Sequence, residues 1–288
     1  MANPRRIDLH SHSDVSDGTR PPAEVVARAA AAGLDVLALT DHDTTAGWDA
    51  AVAALPPGLT LVRGAELSCH RDGRVVHLLA YLFDPADAAL TAELDRVRDD
   101  RIVRAQKMVD KLVDLGADLT FEDVLAQAGG AAIGRPHIAR ALVAAGAVAT
   151  VDEAFTPDWI GEGGRAHVDR YALDPAAAVR LVRGAGGATV LAHPRARRYG
   201  YDYRDELIEE LAEAGLTGVE VDHPEQDAAE REPLRAQARA LGLVVTGSSD
   251  DHGAMTGDRL GAETTDPAAY AALVAATSGA VTPVTAAR

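Results

Sequence analysis

Short apolar runs alternate with helical segments over most of this 288-residue chain. The runs are rich in valine, leucine and isoleucine and are bounded by polar residues, which is typical of buried strands. Seven of them are recognisable: residues 7–10, 36–40, 59–67, 75–82, 189–192, 218–221 and 243–247. The alternation predicts an α/β protein with a parallel sheet. Seven strands with polar residues at their ends favour a closed barrel over an open doubly wound sheet.

Alanine-rich segments between these strands carry the signals of short helices. They cover residues 22–32, 174–183, 205–214 and 225–240. Pro21 and Pro22 suit a helix start, and Gly33, Gly184 and Gly215 lie where helices would end. The chain therefore predicts strands connected by helices, as a β/α barrel requires.

The alternation is interrupted between residues 85 and 169, where no convincing strand occurs. Amphipathic helical patterns cover residues 90–115, 121–128 and 137–145. We expect a helical insertion at 85–169 that forms a cap, within a barrel domain made of residues 1–84 and 170–288.

Charge and hydropathy exclude several classes of protein. The net charge of −16 argues against a broad electrostatic contact with nucleic acid, because such binding neutralises many phosphates. No apolar run reaches about 18 residues, and no secretion signal is evident, so we expect a cytoplasmic protein without a membrane span. The single cysteine, Cys69, excludes an intrachain disulfide and a cysteine zinc motif. Nothing indicates an obligate protein partner.

Potential metal ligands follow the apolar runs. His10 and His12 are one residue apart, so on an extended strand both side chains lie on the same face, and Asp250 and His252 repeat that spacing. In a barrel such strand ends converge on one face, where active sites lie. The complete candidate set is His10, His12, Asp17, His42, Glu66, His77, His193, Asp250 and His252.

Six histidines and three carboxylates are too many for one ion and suit two or three divalent ions. Taken singly, each residue has an ordinary alternative: a strand-end histidine is often structural, Glu66 could be a surface carboxylate and Asp17 a helix cap. Their joint occurrence favours metal binding, because burying them together is costly without ions. Asp41 could orient an imidazole or make a plain strand-end hydrogen bond.

Five ordered motifs, which span residues 7–253, resemble those of the PHP (polymerase and histidinol phosphatase) family of metal-dependent phosphoesterases. They are IDLHSHSDVSDG, LALTDHD, GAELS, LAHP and GSSDDHG. The resemblance implies a distorted seven-stranded (β/α)7 barrel with a trinuclear site at the strand ends. Asp17 matches the first motif better than Asp14, and Asp250 keeps the spacing to His252 that Asp251 does not.

The resemblance also implies how the ligands divide and what they do. A first ion would be held by His10, His12, Glu66 and Asp250, a second by Glu66, His77 and His193, and a third by Asp17, His42 and His252. Glu66 would bridge the first two, and a water activated between these ions would attack phosphorus. Manganese, iron and zinc all accept such ligands.

Substrate contacts are expected from the insertion and from one strand end. Arg135, in the segment IGRPH, could clamp a phosphate at a helix start beside His137; the alternative is a surface arginine in a capping turn. Similar Gly-Arg-Pro-His segments resemble a branch of the family that acts on nucleotides. His223 is a second candidate, with a structural role as its alternative. The basic run 195–198 could place one arginine in the pocket, although charge runs are usually solvated.

These features predict a phosphatase for a small phosphorylated substrate. We expect the 3'-phosphate of a nucleoside 3',5'-bisphosphate or the end of a short oligonucleotide. L-histidinol phosphate is the alternative substrate. A C–N bond hydrolase of the amidohydrolase type could use a similar barrel, but no lysine lies near the motifs to bridge ions as a carbamate. A metal-dependent nucleotide-binding module without catalysis is the non-enzymatic alternative.

Overall fold

The structure, a computed structural model, describes residues 5–129, 133–168, 171, 173–196 and 202–286. Two compact units are present. The first consists of Met1–Ala92 and Ala172–Arg288, and the second of Glu93–Tyr171. The boundaries expected from the sequence were 84/85 and 169/170.

Seven strands of the first unit follow one another around a nearly closed barrel, and an eighth pairs with β3. They are β1 (Ile7–Asp8), β2 (Val36–Leu39), β3 (Thr60–Arg71), β4 (Arg74–Tyr81), β5 (Ala188–Leu191), β6 (Gly218–Asp222), β7 (Val244–Gly247) and β8 (Val284–Thr285). A parallel bridge between Ser11 and Asp251, just beyond β1 and β7, joins the two ends of the sheet. There the His12 N–H donates to the Asp251 carbonyl at 2.9 Å. The predicted seven-stranded barrel is confirmed.

One strand departs from the expected parallel arrangement. β4 runs antiparallel to both β3 and β5. The cause is the two-residue turn Asp72-Gly73, in which both residues have positive φ, 51° and 77°. Asp-Gly is a strong signal for such a tight hairpin, and two residues cannot form a crossover helix. The reversal brings the beginning of β4, with His77, to the end of the barrel where β5 finishes; the Ala192 N–H donates to the His77 carbonyl at 3.1 Å.

Ten helices are described. They are α1 (Pro22–Ala31), α2 (Trp48–Ala53), α3 (Ala88–Asp114), α4 (Phe121–Ala128), α5 (Arg135–Ala144), α6 (Val151–Ala154), α7 (Pro175–Gly184), α8 (Asp205–Ala214), α9 (Ala228–Ala240) and α10 (Pro267–Ala275). None of the helices in the described residues is long and apolar enough to cross a membrane.

The wall of the barrel is buried on both faces, as β2 illustrates. Val36 and Ala38 belong to one apolar cluster together with Ile7 of β1. Leu37 and Leu39 belong to a second cluster, which includes residues of α1. Alternate side chains of a strand point to opposite faces, so one face of β2 lines the barrel and the other packs against helices.

The second unit contains helices and, among its described residues, no strand. Its own apolar core, which is separate from the clusters of the barrel, includes Leu112, Val124, Ile138 and Leu142. Helix α4 begins with a capping box. In it the Asp123 N–H donates to Thr120 Oγ1 at 3.2 Å, and the Thr120 N–H donates to Asp123 Oδ2 at 2.9 Å.

Candidate metal centre

Glu66, in β3, lies at the centre of the polar cluster and is 1% exposed. Its Oε2 lies 3.1 Å from Nε2 of His10 and 3.2 Å from Nε2 of His12. Its Oε1 lies 2.9 Å from Nδ1 of His77 and 3.1 Å from Nε2 of His193. One buried carboxylate thus presents each of its oxygens to a different pair of imidazoles, and Nδ1 of His42 lies 3.4 Å from Oε2 as well.

Asp250, just after β7, completes the first of these pairs. Its Oδ1 lies 3.3 Å from Nε2 of His10 and 3.3 Å from Nε2 of His12. These residues come from opposite ends of the chain, and the junction of β1 and β7 brings them together. We call His10, His12, Glu66 and Asp250 the buried group.

A second set of ligand atoms surrounds Asp17, whose side chain is 46% exposed. Its Oδ1 lies 3.4 Å from Nε2 of His252, and its Oδ2 lies 3.5 Å from Nε2 of His42. His12 Nδ1 is 3.6 Å from Asp17 Oδ1, so this histidine faces both sets. We call His12, Asp17, His42 and His252 the exposed group.

Among the described residues, three sets of potential ligand atoms lie close enough together to hold a cation. Within each set the atoms are within 4.8 Å of one another: the buried group, the exposed group, and His42 with Glu66 and His77. His193 joins the third set through its 3.1 Å contact with Glu66. The structure thus brings all nine predicted ligands into one cluster, although it adds His12 to the expected third set and His42 to the second.

Hydrogen bonds to Asp41 hold the loop that carries Asp17. Asp41 Oδ1 accepts from the Ser13 N–H and from Ser16 Oγ, each at 2.8 Å. Gly18 closes the turn, where an added Cβ would lie 2.7 Å from the His12 carbonyl oxygen. Of the two alternatives for Asp41, these contacts match the plain hydrogen bond. The loop points Asp17, rather than the exposed Asp14, at the histidines.

Two of the predicted ligands have a strained backbone. His193 has φ 29° and Asp250 has φ 51°, in the region that favours glycine. Such a conformation costs about 1–3 kcal/mol for a residue with a side chain and persists only where its surroundings hold it. Both strained residues belong to the cluster, and backbone strain of this kind is typical of functional sites.

The histidines and carboxylates of the cluster shift one another's pKa values. Burial by itself would raise the pKa of the Glu66 carboxyl, but His42, His77 and His10 hold it well below its usual range. Burial lowers the pKa of His77 to about 4. Burial also opposes charge on His12, but hydrogen bonds with Asp250 and Glu66 raise its pKa to about 10. A cation can therefore replace the His12 proton.

The donors fit divalent metal ions. Nδ1 of His12 and Nδ1 of His42 are buried and have no hydrogen-bond partner among the described residues. Buried polar atoms are seldom left without a partner unless an ion or water satisfies them. A mixture of imidazole nitrogens and carboxylate oxygens is the donor set of zinc, iron and manganese sites.

Sequence reasoning missed two buried acids beside the cluster. Glu220, between Val219 and Val221 in β6, is fully buried and lies 3.2 Å from Nδ1 of His10. Burial raises the pKa of a carboxyl, but the charge and hydrogen bond of His10 lower that of Glu220 to about 2. A buried ion costs several kcal/mol without such compensation. An acid within an apolar strand was the available signal.

The second missed acid is Asp8, in β1. Its carboxylate accepts the backbone N–H of Ser249 at 3.0 Å and that of Gly261 at 2.8 Å. Burial raises the pKa of Asp8 to about 6. It ties the beginning of the barrel to the segment that carries Asp250.

The predicted substrate residue His223 is fully buried beside Asp250. Its Nε2 lies 3.4 Å from Oδ2 of Asp250, and its Nδ1 accepts the Glu225 N–H at 3.1 Å. Arg259, which the sequence did not suggest, donates to the Asp250 carbonyl at 3.0 Å. Contact of His223 with substrate stays a prediction, and its observed partner is Asp250.

The other predicted substrate residues divide between the units. Arg195 forms an ion pair with Asp205, and Arg197 and Arg198 lie outside the described residues. In the second unit, Arg135 is the first residue of α5, and its guanidinium carbon lies 5.7 Å from the centre of the Phe155 ring. No carboxylate pairs with Arg135 in the part of the chain that the structure describes.

His137, two residues along α5, has a defined hydrogen bond. Its Nδ1 accepts the Gly134 N–H at 3.0 Å, so a neutral ring carries its proton on Nε2. The bond closes the first turn of the helix.

Comparison with known proteins gives consistent matches. The family model of the PHP domain matches residues 8–122. A 5'-3' exoribonuclease of Haemophilus influenzae is 35% identical over 86% of this chain and 90% of its own. A 3',5'-nucleoside bisphosphate phosphatase of Chromobacterium violaceum is 35% identical over 90% of each chain. A solved structure from Bifidobacterium adolescentis, described as a metal-dependent phosphoesterase, has a TM-score of 0.82 at 34% identity and covers 96% of this chain and 99% of its own.

Proposed function

The chain belongs to the PHP-domain family of metal-dependent phosphoesterases, and we propose that its substrate is a nucleotide with a terminal phosphate monoester. The favoured bond is the 3'-phosphate ester of a nucleoside 3',5'-bisphosphate, or the terminal ester of a short oligonucleotide. The relatives named as a nucleoside bisphosphate phosphatase and as an exoribonuclease support this choice.

One observation carries the proposal: the two oxygens of Glu66 face separate pairs of imidazoles at 2.9–3.2 Å. We assign the buried group to one divalent ion. We assign Glu66, His77 and His193 to a second ion, with His42 at its edge. The exposed group is assigned to a third ion.

Divalent ions held there would lower the pKa of a coordinated water toward neutrality and polarise phosphate oxygens. The residues of the chain would hold and orient these ions. Glu66 and Asp250 supply negative charge in a buried position, and the imidazoles supply lone pairs from rigid rings. Asp17 is half exposed, so the exposed group is the side from which a phosphate can approach.

The second unit supplies the residues proposed for nucleotide recognition. A guanidinium without a carboxylate partner suits bidentate binding of a phosphate, and Arg135 has that character among the residues that the structure describes. The adjacent Phe155 ring is 36% exposed and offers a face on which a base can stack. His137 lies two residues from Arg135 and is the third proposed contact.

A substrate panel tests the proposal. Protein loaded with Mn²⁺ is incubated with adenosine 3',5'-bisphosphate, 3'-AMP, 5'-AMP, a short oligoribonucleotide and L-histidinol phosphate, and released phosphate is measured. We expect the bisphosphate or the oligonucleotide to give the highest kcat/KM. Release from L-histidinol phosphate alone would replace the nucleotide by the alternative substrate. Nucleotide binding without release from any compound would favour a binding module.

A further inference from the structure

Glu220 contacts the histidines of two different ligand sets. Its Oε1 lies 3.2 Å from Nδ1 of His10, and its Oε2 accepts the backbone N–H of His193 at 2.9 Å. Ser248 Oγ donates to Oε1 at 2.5 Å. Both carboxylate oxygens are therefore used, one toward each set.

The contact with His10 determines which of its nitrogens faces the cluster. A carboxylate accepts a hydrogen bond from the Nδ1–H group, so the lone pair of a neutral ring lies on Nε2. Nε2 is the atom at 3.1 Å from Glu66 and at 3.3 Å from Asp250. Glu220 thus selects the tautomer of His10 that can bind a cation of the buried group.

The contact with His193 supports a strained backbone. His193 has φ 29°, and its amide donates to Glu220 rather than to a neighbouring strand. Its ring stacks on that of His10 with an interplanar angle of 18° and 5.7 Å between ring centres. The Glu220 side chain therefore holds both His10, which faces Oε2 of Glu66, and His193, which faces Oε1 of Glu66.

We propose that Glu220 is a positioning residue that holds His10 and His193 together and so couples two neighbouring metal positions. The inference rests on the metal binding of the proposed function. Glu220 does not reach the Glu66 side of either imidazole, so it acts through these histidines and not as a ligand itself.

The Glu220→Gln substitution tests the coupling because an amide has only one acceptor oxygen. Three donors converge on the carboxylate of Glu220: Nδ1 of His10, the amide of His193 and Ser248 Oγ. In either orientation of the glutamine, its NH₂ group faces at least one of these donors. We expect at least one equivalent of Mn²⁺ to bind about 10–100-fold more weakly, the usual loss when a partner behind a metal-binding histidine is removed.

Glu220→Asp is the conservative variant and separates positioning from core packing. Aspartate keeps both acceptor oxygens but is shorter and leaves a cavity around a buried charge. The metal-free thermal midpoint should therefore be lower in E220D than in E220Q, which removes the buried charge. The Mn²⁺ affinity should follow the opposite order, with wild type tightest, E220D intermediate and E220Q weakest. A purely structural role would make both orders the same.

The measurement is calorimetric titration of metal-free protein with Mn²⁺, with thermal unfolding of the same samples. Glu232→Gln is the control, because this exposed glutamate of α9 pairs with Arg235. E220Q that binds Mn²⁺ as tightly as E220D overturns the inference. If E220Q does not fold, an E220D variant that binds Mn²⁺ with wild-type affinity also overturns the inference. If the wild-type protein binds no Mn²⁺, that result instead refutes the proposed function.

Discussion

The buried group and the exposed group share His12 but differ in their surroundings. The side chains of Glu66 and Asp250 are 1% and 12% exposed, whereas that of Asp17 is 46% exposed. Behind the buried group stand further buried side chains, Glu220 on His10 and His223 on Asp250. Asp17 instead projects from a loop held at its base by Asp41.

In the proposed function, this difference would suit the two groups to different tasks. Two carboxylates buried together repel each other unless cations lie between them, so the buried group should bind its ion tightly and exchange it slowly. Asp17 is solvated with or without an ion, so its ion should bind more weakly and exchange faster. The buried group is suited to a resident ion, and the exposed group to contact with substrate.

Replacing Glu66 by glutamine should have the largest effect. It removes the charge that faces both pairs of imidazoles, so we expect kcat/KM to fall by about 10³-fold or more, roughly 4 kcal/mol of transition-state stabilisation. Steady-state phosphate release and the metal content of the same sample measure this. Glu232→Gln, at a glutamate that is 75% exposed, is the control. Retention of a tenth of the wild-type activity would contradict a central role for Glu66.

Asp17→Asn should have a smaller effect, because the other carboxylates remain. We expect a decrease in kcat/KM of roughly 10–100-fold and the loss of about one ion, with partial recovery at high Mn²⁺ concentration. Activity is measured across a Mn²⁺ titration. A loss as large as that of Glu66→Gln, without recovery, would show that the two groups do not differ in function.

Chelation should remove the ions in two phases. We expect the ion of the exposed group to leave first with little change in thermal stability, and the buried ions to leave later with a fall of about 2–4 kcal/mol in the free energy of unfolding. Metal analysis during dialysis against EDTA, with thermal melts of each fraction, follows both phases. Loss of all ions in a single phase would count against the comparison.

Metal loading should also release protons. Burial opposes charge on His10 and on His12, but Asp250 and Glu66 raise the pKa of both, that of His12 to about 10. Both are therefore protonated near neutral pH and must lose a proton to bind an ion, so metal affinity should weaken as the pH falls. Calorimetry in buffers of different ionisation enthalpy counts these protons. The Asp17→Asn variant should release as many protons as the wild type, because His10 and His12 are unchanged. If the wild type released no protons on binding metal, the protonation of His10 and His12 would be contradicted.

Much of the fold and of the membership of the polar cluster could be predicted because it depends on local pattern. Apolar runs marked the strands, and polar residues at their ends marked members of the cluster such as His42 and His193. The hairpin of β3 and β4 was missed although Asp72-Gly73 signals it, because the alternation elsewhere favoured parallel strands. Glu220 was missed for another reason: an acid in a strand has no local sign of whether it faces solvent or a histidine 210 positions away.

The sequence by itself determined the kinds of donor and the strand ends on which they lie, since both follow from residue type and from periodicity along a few residues. Only the tertiary structure decided which oxygen of Glu66 faces which imidazole and which ligands are buried. Those properties depend on the junction between β1 and β7 and on the reversal of β4, which bring Asp250 and His77 to the same carboxylate as His10. The chemistry is local, whereas the geometry that makes it usable arises from contacts between distant parts of the chain.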